Sequence, residues 1–260
     1  MRRLALLALL SASPATAQRL DYQVETEEAA SAPAAQHAPE EEEAPRNAPA
    51  WLQYALLDRF EWSPQSGLDG FSADFSAFVG GERDRVWIAA VADGDLHPRL
   101  EYLELQALYS RNFAEDWDLQ AGIRWDALPH PDRFYLTAGI QGDATDAFWV
   151  GAFGYLSHKG ELSGRFVAQY NLRLPGSLVL QPSLELDAYA QDVPELGWGR
   201  GLSYGEAGLR LRYERNPLFA PYVGYSWERL FGRTARIARA AGDEVSAHGF
   251  VAGIRSETDF

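Results

Sequence analysis

Beyond about residue 50 the chain is organised by alternation of apolar and polar side chains. In the segment 117–125, Trp117, Leu119, Ala121, Ile123 and Trp125 interleave with Asp118, Gln120, Gly122 and Arg124. A repeat of two puts successive side chains on opposite faces of an extended strand, and helical spacing fits none of it. The split recurs in 162–174, where Leu162, Phe166, Ala168, Tyr170, Leu172 and Leu174 oppose Ser163, Arg165, Gln169, Asn171 and Arg173. It recurs in 178–191, where Leu178, Leu180, Leu184, Leu186 and Ala188 oppose Gln181, Ser183, Glu185, Asp187 and Gln191. Less regular segments of the same kind cover 51–62, 71–79, 85–92, 101–111, 134–142, 148–157, 203–214, 220–230 and 250–260. Together they predict an all-β fold of about twelve strands, with ten as the alternative.

The links between these segments alternate in length. Tight ones carry Gly80-Gly81, Asn112 to Glu115, Asp143 to Asp146, Pro175-Gly176 and Asn216-Pro217, residue types that supply hairpin turn geometry. Long ones include 192–202 and 232–249. Short turns at one end and long loops at the other predict an antiparallel up-and-down transmembrane barrel, with both termini at the short-turn, periplasmic side. A soluble barrel would turn its apolar face inward, but a barrel of about twelve strands is too wide for side chains to fill. The aromatic ends of 117–125 are roughly 26 Å apart along a strand, or about 20 Å of height after tilting, which suits a lipid band between aromatic girdles.

Composition sharpens this picture. Met1-Arg2-Arg3, the apolar run Leu4 to Leu10 and Ala15-Thr16-Ala17 form the three parts of a secretory signal over 1–17. Residues 18–49 are rich in Ala, Pro and Glu and lack the apolar residues for a core, which predicts a disordered acidic periplasmic segment before a barrel over 50–260. No other run approaches the ~20 apolar residues of a spanning helix. With Cys 0, stability rests on packing and backbone pairing. A net charge of -14 argues against nucleic acid and in favour of cationic ligands. Phe260 is the kind of last residue that outer-membrane assembly machinery accepts, so that machinery and outer-membrane lipid are expected partners.

Several ordered stretches carry a resemblance. They are 117–124, 180–186, Gly208 to Glu214, Phe219 to Gly224, Trp227-Glu228-Arg229 and Val251 to Arg255, preceded by Gly80-Gly81, Arg85-Val86-Trp87 and 104–111. In order and spacing they resemble the copper-resistance protein B family. The resemblance implies an outer-membrane barrel of copper resistance or homeostasis in a Gram-negative bacterium, not an enzyme. It also implies copper ions as ligand and a periplasmic copper protein as partner. Two departures stand out. Met1 is the only methionine, so the Met-rich segment suited to copper(I) in that family is absent. Trp149, Gly151 and Phe153, lumen-facing in the strand register, replace polar residues of the family.

Candidate sites follow from ligand chemistry. His97, His130 and His158 fall on predicted long loops, and Asp126 and Asp132 beside them would complete a nitrogen and oxygen set for copper(II), as would His37 in the acidic segment. Inward positions offer Gln120, Arg124, Gln181, Glu185, Asp187, Glu206, Arg210, Arg212, Glu228, Arg255 and Glu257. These predict a lumen network of ion pairs, with Arg210 and Arg212 joined to Glu185, Glu206 and Glu228, or a polar path for a cation. Two other functions fit a barrel: a rim hydrolase recruiting His130 or His158, for which no Ser, His and acid set is evident, and a diffusion barrel without metal specificity.

Overall fold

A computed structural model describes residues 52–63, 70–95 and 100–259. The strands are β1 (Leu52–Ser63), β2 (Gly70–Gly80), β3 (Asp84–Gly94), β4 (Leu100–Ala114), β5 (Trp117–Leu128), β6 (Arg133–Thr145), β7 (Phe148–Ser157), β8 (Leu162–Tyr170), β9 (Leu172–Leu174), β10 (Leu178–Tyr189), β11 (Gly201–Tyr213), β12 (Ala220–Leu230) and β13 (Ser246–Asp259). Consecutive strands pair antiparallel except β8 with β9, and β13 pairs with β1. β8 and β9 both pair with β10, so they are one stave interrupted at Asn171, and the barrel closes with 12 staves. Closure satisfies every strand edge, as hydrocarbon demands of a spanning sheet. Among the described residues no helix is long and apolar enough to cross a membrane.

Alternation sorts the side chains as the pattern requires. Leu119, Ile123 and Trp125 are exposed on the outer surface, while Asp118, Gln120 and Arg124 are buried inside. Leu184 likewise faces out between the inward Ser183 and Glu185. Two expected turns lie further along the chain: β4 runs through Asn112 to Ala114 and turns at Glu115-Asp116, and β6 runs to Thr145. β1 carries a bulge, where the register slips between Leu57 and Arg59. A bulge lets two successive residues share a face. Asp58 reaches inward to Arg255 and Arg59 inward to Glu206.

The long-loop end is capped. The loop after β10 makes a 3-10 turn, Pro194–Leu196, stopped by Gly197 at φ 76, a left-handed conformation that suits glycine. The expected long loop 232–249 instead holds the helix α1 (Gly232–Ala241), and β13 starts at Ser246 rather than near residue 250. Thr234, Ala235 and Ala238 form its buried face. The helix sits close because a Cβ at Gly199 would lie 2.6 Å from that of Arg233, and the Gly199 amide donates to Thr234 Oγ1 at 2.9 Å. Tyr189 stacks on Trp198 at 5.3 Å, and both pack with Val91, Tyr102, Tyr204, Leu230 and α1 into an apolar cluster across the mouth.

Candidate functional site

The lumen holds arginines and carboxylates in three groups. Near the capped end, Arg124 pairs with Glu104 at 2.9 Å and Asp126 at 2.6 Å, and Arg165 meets Glu104, Glu185 and Asp187 at 3.1 to 3.4 Å. The Tyr155 ring lies under both guanidiniums, 4.6 Å from Arg124 and 5.7 Å from Arg165. At mid-height Arg59 holds Glu206 at 3.2 Å, and Arg210 holds Glu61 at 2.8 Å and Glu206 at 3.4 Å. Towards the short turns Arg255 pairs with Asp58 and Glu257, and Arg212 binds Glu214, Gln181 and Asn171.

The predicted network is therefore present with different partners. Arg210 takes Glu206 as expected but adds Glu61; Arg212 reaches neither Glu185, which Arg165 holds, nor Glu228. Gln120 donates to Ser110 rather than to a charged group. Glu228 faces Glu206 directly across the β11–β12 ladder, a like-charged pair that costs stability unless something intervenes. Among the described residues no arginine is bonded to Glu228, and its Oε2 has no hydrogen-bond partner. Asp74, opposite Arg59 in the β1–β2 ladder, also has a buried oxygen, Oδ1, without a partner. Asp93 stands diagonally across from Asp74, since it pairs with Ser72. Around Arg59 and Arg210 carboxylates thus outnumber the guanidiniums. Beside them lies a small cavity, lined by Asp58, Asp74, Glu185 and Glu206 and by Arg59, Arg210 and Arg212, extending towards the short-turn end.

The loop histidines are not gathered. His130 is exposed, His158 Nδ1 accepts from the Phe134 amide at 3.2 Å, and Asp132 accepts from the Trp125 indole. Asp126 turns inward to Arg124. Among the described residues no three His, Cys, Asp or Glu side chains form a set able to hold a metal ion. His37 and His97 lie outside the described residues. Trp149 and Phe153 do face the lumen, where the Phe153 ring occupies the space above Gly139 and Gly151.

Arg59, Glu61, Asp74, Asp93 and Glu104 were not in the predicted inward set. The bulge breaks the repeat before Arg59 and Glu61. Ala-rich strands 71–79 and 85–92 blur it around Asp74 and Asp93. Glu104 stands in plain alternation between Leu103 and Leu105, a signal that was available.

At the rim, Arg133 binds Glu161 at 3.1 Å and Glu195 at 2.8 Å, and Lys159 reaches Glu195 at 2.5 Å. Hydrogen bonds from Arg133 and Lys159 hold the Glu195 carboxyl down at about 2, against an ordinary 4.5. A depressed carboxylate stabilises its contact above its ordinary value and loses that contribution as pH falls through the lowered one. Pepsin should therefore spare the 190–200 loop near pH 4 and cut it near pH 2, whereas Glu195→Gln should be cut alike at both.

A closed antiparallel barrel with an apolar exterior and a charged lumen is a porin-like outer-membrane protein. The structure is similar to the NanC porin, with a TM-score of 0.50 at 12% identity, covering 79% of this chain and 98% of that one. Residues 51–257 match the family model described as copper resistance protein B precursor, and the chain belongs to that family. It is 37% identical to copper resistance protein B of Escherichia coli over 77% of this chain and 67% of that protein. It is 36% identical to a copper resistance protein B homolog of Pseudomonas syringae pv. tomato over 78% and 68%. Neither this family nor the porins are enzymes by class.

Proposed function

We propose that the lumen takes up copper(II) as hydrated cargo and holds it weakly beside Asp74, Asp93 and Glu228. The carrying observation is the surplus of carboxylates there, with Asp74 Oδ1 and Glu228 Oε2 buried and unpartnered. A hydrated ion needs no converging ligand set; a negative field in a narrow space attracts it, and weak holding is what passage requires. Carboxylate oxygen suits copper(II) rather than copper(I), whose soft ligands Cys and Met are absent after Met1. The cavity reaches towards the short turns while the aromatic cluster covers the other mouth, which favours loading from the periplasmic side. The acidic segment 18–49 with His37 would raise the local copper(II) concentration there, with a periplasmic copper protein as donor.

The test replaces Asp74 and Asp93 with Asn and Glu228 with Gln together, leaving the arginine pairs intact. Copper(II) binding by the purified barrel should weaken at least about tenfold, or about 1.4 kcal/mol, and copper tolerance should fall. Unchanged binding in a variant that still runs as a folded barrel before boiling would remove the lumen from the reading.

A further inference from the structure

We propose that the arginine face of α1, continued by Arg229 at the end of β12, binds the phosphate groups of glycolipids in the outer leaflet. In a chain of net charge -14, the span from Arg229 to Ala241 holds Arg229, Arg233, Arg236 and Arg239 and no acidic residue. The three helical arginines recur every third position and are exposed, opposite the buried Thr234, Ala235 and Ala238. Arg233 is partly neutralised by Asp192 at 2.9 Å. Among the described residues Arg229, Arg236 and Arg239 have no ion-pair partner, although Asp243 and Glu244 follow the helix.

Height on the barrel selects the occupant. On the outer surface of β12 and β13, Tyr225 is bonded to His248 at 2.6 Å and packs edge-on against Phe250, and Trp227 donates to Ser246 at 2.9 Å. Amphipathic rings of this kind sit at the level where hydrocarbon gives way to headgroups. Arg229 is the next outward residue of β12 beyond Trp227, so its guanidinium, 5.9 Å from the Phe231 ring, stands at headgroup height. Planar guanidiniums bind phosphate through paired hydrogen bonds, and several near one surface add their attraction. With the long-loop end facing outward, those phosphates belong to the outer leaflet. The patch is on the outer surface and separate from the lumen carboxylates.

The experiment uses the purified full chain in detergent micelles, with lipopolysaccharide and its dephosphorylated form as probes. The parent should retain the phosphorylated form more tightly, with retention falling as salt rises. Changing Arg229, Arg236 and Arg239 together to Gln should weaken that retention at least roughly tenfold, while leaving heat-modifiable gel mobility and copper(II) binding unchanged. Equal retention of the two probes by the parent, or parent-like retention by the triple variant, would overturn the assignment. Should the triple variant fail to fold, the single changes Arg236→Gln and Arg239→Gln, at positions without partners, read the same loss in smaller steps.

Discussion

Leu184→Arg should lower barrel stability in lipid by about 2 to 4 kcal/mol, the cost of an arginine on the lipid face near the midplane. Leu184 is in the middle of β10, and its cross-strand neighbours are the small residues Ala168 and Ala207. Nothing beside it can shelter a guanidinium, and the side chain is 40% exposed on the outer surface. The measurement is urea titration of folding into lipid vesicles for parent and variant. A loss within error would place Leu184 on the aqueous side and invert the assignment of every neighbouring position, because a strand's faces alternate without exception over a regular stretch.

Arg165→Ala should cost about 3 to 5 kcal/mol, since it strands several buried acids at once. The Arg165 side chain is 1% exposed and is the shared counterion of Glu104, Glu185 and Asp187. Removing it leaves Glu104 with Arg124 but takes the arginine from Glu185 and Asp187. Adding Asp187→Asn should recover part of the loss, and the non-additivity of the pair, read by the same urea titrations, measures their coupling. Arg111, which meets Asp84 at 3.9 Å with both side chains about half exposed, provides the contrast. Its replacement by Ala should change stability by less than about 1 kcal/mol, as for other solvated pairs. If both arginines behave alike, the lumen is wetter than the structure indicates.

The strands were legible because two solvents impose two chemistries on alternate residues. Where the inward set is charged and the outward set aliphatic, as from Trp117 to Trp125, the register could be read directly. The N-terminal signal and 18–49 lie outside the described residues. Helix α1 was not foreseen because its buried face is Thr234, Ala235 and Ala238, residues too small to mark a helical stripe. The early start of β13 was hidden in the same way by Ala247 and Gly249. The candidate site was half legible. Which residues face inward follows from period two, but which acid meets which arginine depends on the stagger between strands and on the β1 bulge. Neither leaves a local trace. That no described arginine reaches Glu228 is a property of the closed circle, since Glu206, directly opposite it, is held by Arg59 from another part of the wall.

Closure through β1 and β13 has a kinetic consequence. Tyr54 pairs with Asp259 and Trp62 with Ala252, contacts that span almost the whole folded chain, whereas every other ladder joins near neighbours in sequence. Hairpins can zip locally and fast, but this seam must wait until its two strands meet, and loop-closure entropy makes such a step slow. Until then the outer edges of β1 and β13 are open to pairing with any other strand. Weakening the seam should therefore lengthen the lifetime of an aggregation-prone intermediate more than it alters the finished barrel.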